Sequence, residues 1–148
     1  MPQMTPQEQK LNDFLVGVFN DILRLEEASL RQSCGTLSVT ELHVLDAVFH
    51  CAPQCGMADI AAALKVTAGT ATVAVKTLEQ KGYVVRTRHE KDKRRVTVAL
   101  TGAAQAVLAH HEAFHTGLVR AVAHGLPAPE LDALSAALSR LHDYFRTL

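Results

Sequence analysis

Positive charge is concentrated in one short segment of the chain. Residues 86–95 read Arg-Thr-Arg-His-Glu-Lys-Asp-Lys-Arg-Arg and hold six basic side chains against two acids, a local balance of +4. The whole chain has 15 Lys and Arg against 15 Asp and Glu, so the remainder carries nine bases and thirteen acids. A neutral protein that gathers its cations in one place is arranged to meet a polyanion, and we expect this segment to contact nucleic acid. The alternative is a hairpin whose lysines only keep it soluble.

The segment just before the cationic one is typical of a helix with two different faces. Thr67 is a suitable N-cap and Gly82 a suitable stop, which predicts a helix over 67–81. The residues with inward spacing are Ala71, Ala74, Val75 and Leu78. Hydroxyl and methyl groups on the outer face can contact base edges and phosphates, although the same pattern also fits an ordinary solvated helix. The outer positions are Thr67, Gly69, Thr70, Thr72, Val73 and Lys76.

The elements around these two segments are predicted from apolar periodicity and capping residues. Alternating β-branched residues over 83–88 and 95–100 predict a hairpin. Further helices are predicted from Pro6 to about residue 30, from Ser38 to a loop over 51–56, over 59–64, from Thr101 to Gly125 and over 130–145. The order α-α-α-α-β-β-α-α predicts a mainly α fold with a small β-hairpin, in which a helix-turn-helix is followed by a wing. We expect one compact domain with a DNA-binding region over 38–100, and dimerisation helices over 5–34 and 101–148.

Composition excludes several classes of protein. The first eight residues lack the basic-then-apolar run of a signal peptide, and no apolar run approaches the ~20 residues that span a bilayer. Three cysteines, Cys34, Cys51 and Cys55, are odd in number and sparse, which favours reduced thiols and a cytoplasmic location. Cys51 and Cys55 beside His50 could serve as a redox sensor or metal clip, but buried thiols are the commoner outcome. No phosphate loop or nucleophile elbow occurs, so we do not expect an enzyme.

Two motifs make the chain resemble the MarR family of dimeric bacterial transcription factors. They are Lys-Gly-Tyr-Val at 81–84 and Asp-Lys-Arg-Arg-Val-Thr-Val-Ala-Leu-Thr at 92–101. The resemblance implies a winged helix-turn-helix homodimer that binds double-stranded operator DNA. It also implies that Arg94 enters a minor groove, braced by Asp92, and that other wing cations neutralise phosphates. Those cations are Arg88, Lys91, Lys93 and Arg95.

Four shorter segments, at 19–23, 37–43, 69–75 and 111–115, are similar to the FabT-type regulators. This similarity implies a repressor of fatty-acid synthesis whose corepressor is a long-chain acyl group on acyl carrier protein. The acyl chain would enter an apolar pocket, although the same residues could simply be a packed core. The candidate pocket residues are Phe14, Val18, Phe19, Ile22, Leu42, His43, Leu45, Phe49, Phe114 and Leu118.

Histidines offer an alternative effector. His111 and His115 are four residues apart on one predicted helix, a workable spacing for metal ligands. Zinc-sensing members of the resembled family use this region, and His43 is the third residue we expect in such a site. His110, Glu26, Glu27 and Cys34 are further residues that could converge there. The preferred interpretation is that the histidines are structural or line the pocket, with no metal bound and no cofactor beyond the acyl effector.

Overall fold

The structure is a computed structural model that describes residues 3–148. Met1 and Pro2, which begin the segment in which we expect no signal peptide, lie outside the described residues. The elements in chain order are α1 (Pro6–Ser33), α2 (Val39–Cys51), β1 (Cys55–Gly56), α3 (Met57–Leu64), α4 (Ala68–Gln80), β2 (Val84–Arg88), β3 (Val96–Leu100), α5 (Gly102–His124) and α6 (Ala128–Phe145). Each predicted helix and both predicted strands are present, with ends shifted by a few residues.

The first two helices begin at capping boxes, as predicted from the sequence. The Thr5 hydroxyl accepts from the backbone N–H of Glu8 at 3.2 Å, and the Glu8 carboxylate accepts from the N–H of Thr5 at 2.7 Å. Ser38 and Glu41 repeat the arrangement at the start of α2, at 3.1 and 3.3 Å. These bonds satisfy N–H groups that have no partner inside the helix, so both starts are fixed by local sequence.

The core lies where α2, α3 and α4 meet the small sheet. Among its largest fully buried side chains are Leu42, Leu45, Ile60, Leu78 and Val98. Val98 comes from the central strand β3, and the other four come from the three helices. The core therefore holds the helix-turn-helix and the sheet together as one support for α4.

The sheet has three strands, where the sequence predicts a two-stranded hairpin. Its order is β1-β3-β2, with both neighbouring pairs antiparallel. The extra strand comes from the segment 51–56 that we predicted to be a loop, whose last residues Cys55 and Gly56 pair with Val98 and Thr97. A strand of two residues is too short to produce an alternating pattern, so sequence periodicity does not detect it.

The chain divides into two compact units, one running to His111 and the other Glu112–Leu148, and the expectation of one compact domain overall stays a prediction. The division lies within α5, whose buried residues Ala104, Val107 and Leu108 all belong to its first part. α6, in the second unit, has no fully buried residue. The assignment of 38–100 to DNA binding and of 5–34 and 101–148 to dimerisation stays a prediction.

Among the described residues, no single helix combines the length and apolarity needed to cross a bilayer. α3 and α4 meet that requirement only when taken together, and they are bent by 107° relative to each other.

Candidate nucleic-acid interface

The helix α4 is fixed at its start by two threonines. The Thr67 hydroxyl oxygen accepts from the backbone N–H of Thr70 at 3.2 Å and lies 2.9 Å from the Thr70 hydroxyl. Thr67 is therefore the N-cap that the sequence predicts, and both side chains remain exposed. One pair of hydroxyls thus caps the helix and lies on the surface at its N-terminal end.

The outer face of α4 is small, polar and accessible. Gly69 and Lys76 are exposed, and Val73 keeps 66% of its surface accessible. The opposite face buries Ala71, Val75 and Leu78, as predicted, with Ala74 half-buried. An exposed β-branched valine is unfavourable in a helix without a compensating contact, which makes Val73 a candidate for apolar contact with a ligand such as a thymine methyl.

Thr72, which is predicted on the outer face, has its hydroxyl bonded within the helix. It is half-buried, and its hydroxyl donates to the Ala68 carbonyl at 2.9 Å. Thr77 makes the same kind of bond to Val73, at 3.0 Å. Threonine in a helix interior satisfies its hydroxyl on the preceding turn, and the spacing of residues alone does not reveal that competition.

An open groove runs between the start of α2 and the outer face of α4. Its walls are small or polar side chains, and the acidic Glu41 is the one charged residue that lines it. The groove is lined by Ser38, Thr40, Glu41, Thr67, Gly69, Thr70, Val73, Ala74 and Thr77. The capped start of α2 and the start of α4 therefore open onto the same surface.

The tip of the wing is held by Asp92. Its carboxylate accepts from the backbone N–H of Arg94 at 3.0 Å, and its carbonyl accepts from the N–H of Arg95 at 3.0 Å. The N–H of His89 bonds the Arg95 carbonyl, also at 3.0 Å. The Asp-x-Arg motif thus shapes the backbone of the turn. The resemblance implies that Asp92 braces Arg94, and in the structure this brace is made to the backbone N–H of Arg94.

The predicted wing cations are exposed. Within residues 3–148, the side chains of Arg88, Lys91, Lys93 and Arg94 form no ion pair or hydrogen bond. Arg95 is also exposed and donates a long hydrogen bond of 3.4 Å to the Gln54 side-chain oxygen. Five cations at the tip of the wing therefore have no acidic partner within the described residues. Such a cluster of positive charge attracts phosphate groups.

The sixth cation of the segment has a different role. Arg86 donates from its guanidinium to the Glu79 carboxylate at 2.8 and 3.0 Å, and its backbone N–H donates to the same group at 2.9 Å. Side-chain and backbone hydrogen bonds from Arg86 hold the pKa of Glu79 below its ordinary value. Arg86 thus joins β2 to α4 and is not part of the exposed cationic surface.

A second ion pair, which is not predicted from the sequence, fixes the end of α4. The Lys81 ammonium donates to both carboxylate oxygens of Glu41, at 2.8 and 3.0 Å, and to the Thr36 carbonyl at 2.5 Å. Tyr83, two residues later, contacts the Cys34 thiol through its hydroxyl. The Lys-Gly-Tyr motif therefore ties the end of α4 to the turn between α1 and α2.

Cys34 is the thiol in this contact, at the C-cap of α1. Burial raises the pKa of the Cys34 thiol, but hydrogen bonds from the Thr36 and Tyr83 hydroxyls and from the Thr36 and Leu37 backbone outweigh it and lower the pKa below its ordinary value. The same contact with Cys34 raises the pKa of the Tyr83 hydroxyl. The two groups thus share one polar cluster with Thr36.

The residues predicted to line an apolar pocket have unequal environments. Leu42 and Leu45 are fully buried in the core of the first unit. Phe14, Phe19 and Phe49 are exposed, at 51%, 67% and 57%. Ile22 is also exposed, and Val18, Phe114 and Leu118 are half-buried. Leu42 and Leu45 are therefore core, and Phe14, Phe19 and Phe49 form apolar surface of the single chain.

A polar cluster forms where α1 faces the start of α2. Glu26 is buried, and its carboxylate oxygen lies 3.7 Å from Nε2 of the half-exposed His43. A ligand atom of His111, on α5, lies within 4.8 Å of one from Glu26. Carboxylate and imidazole are donors that zinc accepts, so the cluster fits that metal chemically. Glu26 is one of the further residues that we expect to converge on the predicted set of His43, His111 and His115. His115 lies four residues further along α5, in the second unit.

Comparison with known proteins identifies the family that the chain is similar to. Residues 37–96 match the model of the MarR family. The structure of Streptococcus pneumoniae FabT in complex with DNA is 31% identical and has a TM-score of 0.89, covering 95% of this chain and 98% of that one. The S. aureus MepR–DNA complex, at 20% identity and a TM-score of 0.68 over 89% and 96% of the two chains, shows the fold alone.

Among curated proteins, the chain is similar to the HTH-type transcriptional regulator BilQ of Clostridium symbiosum, with 43% identity over 49 residues. That match covers 33% of this chain, and the chain spans about a third (34%) of the length of that relative. The similarity to this curated protein is therefore local, whereas the similarity to the FabT structure extends over nearly the whole chain.

Proposed function

Because this chain belongs to the MarR family of DNA-binding transcription regulators, which are not enzymes, we propose that it is a repressor that binds operator DNA as a homodimer. The observation that carries the proposal is the placement of five exposed cations on the wing beside the accessible face of α4. The likeness to a structure of FabT in complex with DNA, over nearly the whole chain, supports it.

In the proposed complex α4 enters a major groove and the wing follows the neighbouring phosphates. The exposed Gly69 allows close approach of the backbone, and Val73 offers methyl groups to a thymine. Arg94 is well suited to a minor groove because its guanidinium has no acidic partner in the part of the chain that the structure describes. Two such surfaces in a symmetric dimer would match half-sites about one helical turn apart.

We also propose that a long-chain acyl group, delivered by acyl carrier protein, is the corepressor and that the controlled genes serve fatty-acid synthesis. The similarity to FabT over nearly the whole chain supports this choice. The exposed aromatic rings Phe14, Phe19 and Phe49 supply apolar surface that an alkyl chain could cover. The ligand acts only through its higher affinity for the DNA-competent state, so it must raise DNA affinity.

Zinc is a second candidate effector, and a specific observation favours it. The buried carboxylate of Glu26 lies 3.7 Å from the His43 imidazole and within 4.8 Å of a ligand atom of His111, all within the first unit. A metal bound there would be held by Glu26 together with imidazole ligands of the first unit. Zinc would act through the same DNA-binding surface, so only the effector differs between the two proposals.

Native mass spectrometry of the freshly purified protein separates the two effectors. A co-purified fatty acid, or acyl carrier protein bound only when acylated, supports the lipid proposal, whereas a bound zinc ion supports the metal. A DNA-binding titration with and without chelator gives the second readout. Loss of DNA binding in chelator contradicts the lipid proposal. DNA binding that changes neither with chelator nor with added zinc contradicts the zinc proposal.

A further inference from the structure

The backbone at the end of α4 is closed by its own local sequence. Gly82 has a φ of 85°, a left-handed conformation that favours glycine, and its N–H donates to the Glu79 carbonyl at 3.0 Å. The N–H of Tyr83 donates to the Leu78 carbonyl at 2.9 Å. These two bonds form a Schellman motif, which ends a helix through its backbone alone. The Lys81 side chain is therefore not needed to stop the helix.

The ammonium of Lys81 instead joins α4 to two other segments. It donates to both carboxylate oxygens of Glu41, in the first turn of α2, at 2.8 and 3.0 Å, and to the carbonyl of Thr36, in the turn before α2, at 2.5 Å. A lysine ammonium has three N–H donors, and these three acceptors use all of them. Lys81 thus has no donor left for a phosphate, unlike the exposed cations of the wing.

Glu41 is an acid on the surface that we propose to face DNA. Among the nine residues that line the groove between α2 and α4, Glu41 alone is charged. A carboxylate in that place repels phosphates, so on charge alone Glu41 should weaken DNA binding. Its side chain is only 17% exposed, however, and accepts from the Ser38 N–H as well as from Lys81. Glu41 is therefore part of the support beneath the groove.

We propose that Lys81 and Glu41 are positioning residues for DNA binding, which together set the angle at which α4 meets the duplex without contacting phosphate themselves. The proposal rests on the proposed DNA-binding function, to which it adds two residues outside the cationic wing and the outer face of α4. Its distinctive consequence is that the negative charge of Glu41 raises the affinity of the protein for a polyanion.

α4 is sensitive to its angle because few side chains hold it and its reach is long. The side chains it buries are Ala71, Val75 and Leu78, two of which are small. A helix of 13 residues is about 20 Å long, so a tilt of about 5° at one end moves the other end by about 1.7 Å. Groups that bind a ligand have to be held within about 0.5 Å of their productive positions. A small tilt is therefore enough to misplace the exposed face.

The other polar contacts of α4 do not restrain this tilt relative to α2. The Thr67 cap bonds within the start of α4 itself. The Glu79–Arg86 pair joins α4 to β2, so it fixes α4 on the wing. The bond from Lys81 to Glu41 is the ion pair that joins the end of α4 to α2. Loss of that bond leaves the cap and the wing contact intact but frees the angle.

The test compares Lys81→Met and Glu41→Gln, alone and combined, with the wild-type full-length protein. Methionine keeps the apolar stem of lysine, and glutamine can still accept the Ser38 N–H in the capping box. Far-ultraviolet dichroism shows first that each variant is folded. The probe is a fluorescent duplex that the wild-type protein selects from a random pool. Its affinity is measured by anisotropy at salt concentrations between about 50 and 200 mM.

Two substitutions are matched controls for charge. Lys76→Met removes an exposed cation of α4, and Glu90→Gln removes an exposed acid of the wing; neither side chain has an ion pair or hydrogen bond within residues 3–148. Lys76→Met should weaken binding and make the slope of log affinity against log salt shallower by about 0.9, as loss of one phosphate contact does. Glu90→Gln should raise the affinity because it removes a repulsive charge.

The positioning pair should behave differently from both controls. Lys81→Met and Glu41→Gln should each lower the affinity roughly tenfold, and the double variant should lose no more than either single variant, since partners in one network are not additive. The salt slope of all three should equal that of wild type because no phosphate contact is lost. A fall in affinity for Glu41→Gln beside a rise for Glu90→Gln excludes a general effect of net charge.

Three outcomes contradict the inference. They are an affinity of Glu41→Gln equal to or above that of wild type, a shallower salt slope for Lys81→Met, and losses that multiply in the double variant. A wild-type protein that selects no duplex contradicts the proposed function, and the positioning role fails with it. If wild type binds and the variants of the pair bind equally well, the positioning role alone is contradicted, so the two failures are distinguishable.

Discussion

Arg86 and Arg94 belong to the same cationic segment but have opposite environments. Arg86 is bound by Glu79 through three hydrogen bonds, whereas the Arg94 guanidinium has no acidic partner within residues 3–148. The backbone of Arg94 is nonetheless fixed by the Asp92 carboxylate. A side chain without an intramolecular partner, on a backbone held in one conformation, is well placed to bind an external anion.

Replacing Arg94 tests this reading directly. Arg94→Ala should weaken DNA binding by about tenfold or more, since a groove-reading arginine contributes about 1–3 kcal/mol. Thermal stability should be unchanged because the lost side chain bonds nothing in the described fold. Arg94→Lys keeps the charge but loses the planar guanidinium, so its DNA affinity should lie between those of Arg94→Ala and wild type. Equal affinities of Arg94→Ala and wild type in a gel-shift titration would contradict the assignment.

The Glu79–Arg86 pair predicts a dependence of stability on pH. The pKa of Glu79 is lowered in the folded state by hydrogen bonds from Arg86, so the pair stabilises the fold above the ordinary carboxyl pKa. This stabilisation is lost as pH falls through the lowered value, below about pH 4. Glu79→Gln should therefore lose less thermal stability than wild type over that range. If the melting temperatures of the two proteins fall equally over that range of pH, the effect is contradicted.

The wing as an element predicts how binding responds to salt. Each phosphate contact releases counterions and contributes about 0.9 to the slope of log affinity against log salt concentration. Lys93→Ala should therefore weaken binding similarly for all duplexes and make the slope shallower. Lys10→Ala removes an exposed lysine from α1, outside the wing, and is the matched control. The same slope for Lys93→Ala and Lys10→Ala would exclude a phosphate contact by Lys93.

The start of α4 depends on one cap. Thr67→Ala removes the acceptor for the Thr70 N–H and should lower the free energy of unfolding by about 1 kcal/mol, whereas Thr67→Ser should retain most of it. Urea denaturation measures both values. If Thr67→Ala matches wild type in stability, the cap contributes nothing and α4 is fixed by packing alone.

The helices could be predicted from the sequence because their signals are local. Thr5, Ser38 and Thr67 each act as the cap that the sequence indicates. The strand β1 could not be predicted, since a pairing of two residues depends on where β3 lies in space. The same applies to the site. The exposure of the wing cations could be predicted from their charge. The bond from Arg86 to Glu79 and the bond from the Thr72 hydroxyl to the Ala68 carbonyl could not, because both depend on the folded geometry.

At the scale of the whole molecule, the single chain leaves much apolar surface exposed. On α1 the exposed apolar side chains are Leu11, Phe14, Val16, Phe19 and Ile22, and on α6 they include Leu138, Tyr144 and Phe145. Monomeric proteins rarely expose contiguous apolar surface of this kind on a helix, so the pattern agrees with the proposed homodimer.

A charge placed in this surface should break the dimer. Leu138 is 45% exposed on α6, and Leu138→Glu would place a carboxylate where we expect a second chain to pack. Ser139→Glu, at the next position around the helix, is the control. Sedimentation velocity should give the monomer mass for Leu138→Glu and the dimer mass for Ser139→Glu. A dimeric Leu138→Glu protein would place the interface elsewhere.

The most direct test of the central claim is the selection of bound sequences from a pool of random duplexes. The selection is done at low ionic strength with the effector present. If the two wings and two α4 helices of a homodimer bind one duplex, the recovered sequences will share an inverted repeat with half-site centres about one helical turn apart. Val73→Glu, which sets a carboxylate on the accessible face of α4, should enrich no such repeat. Failure of the wild-type protein to enrich any duplex, or enrichment without two-fold symmetry, would contradict the account.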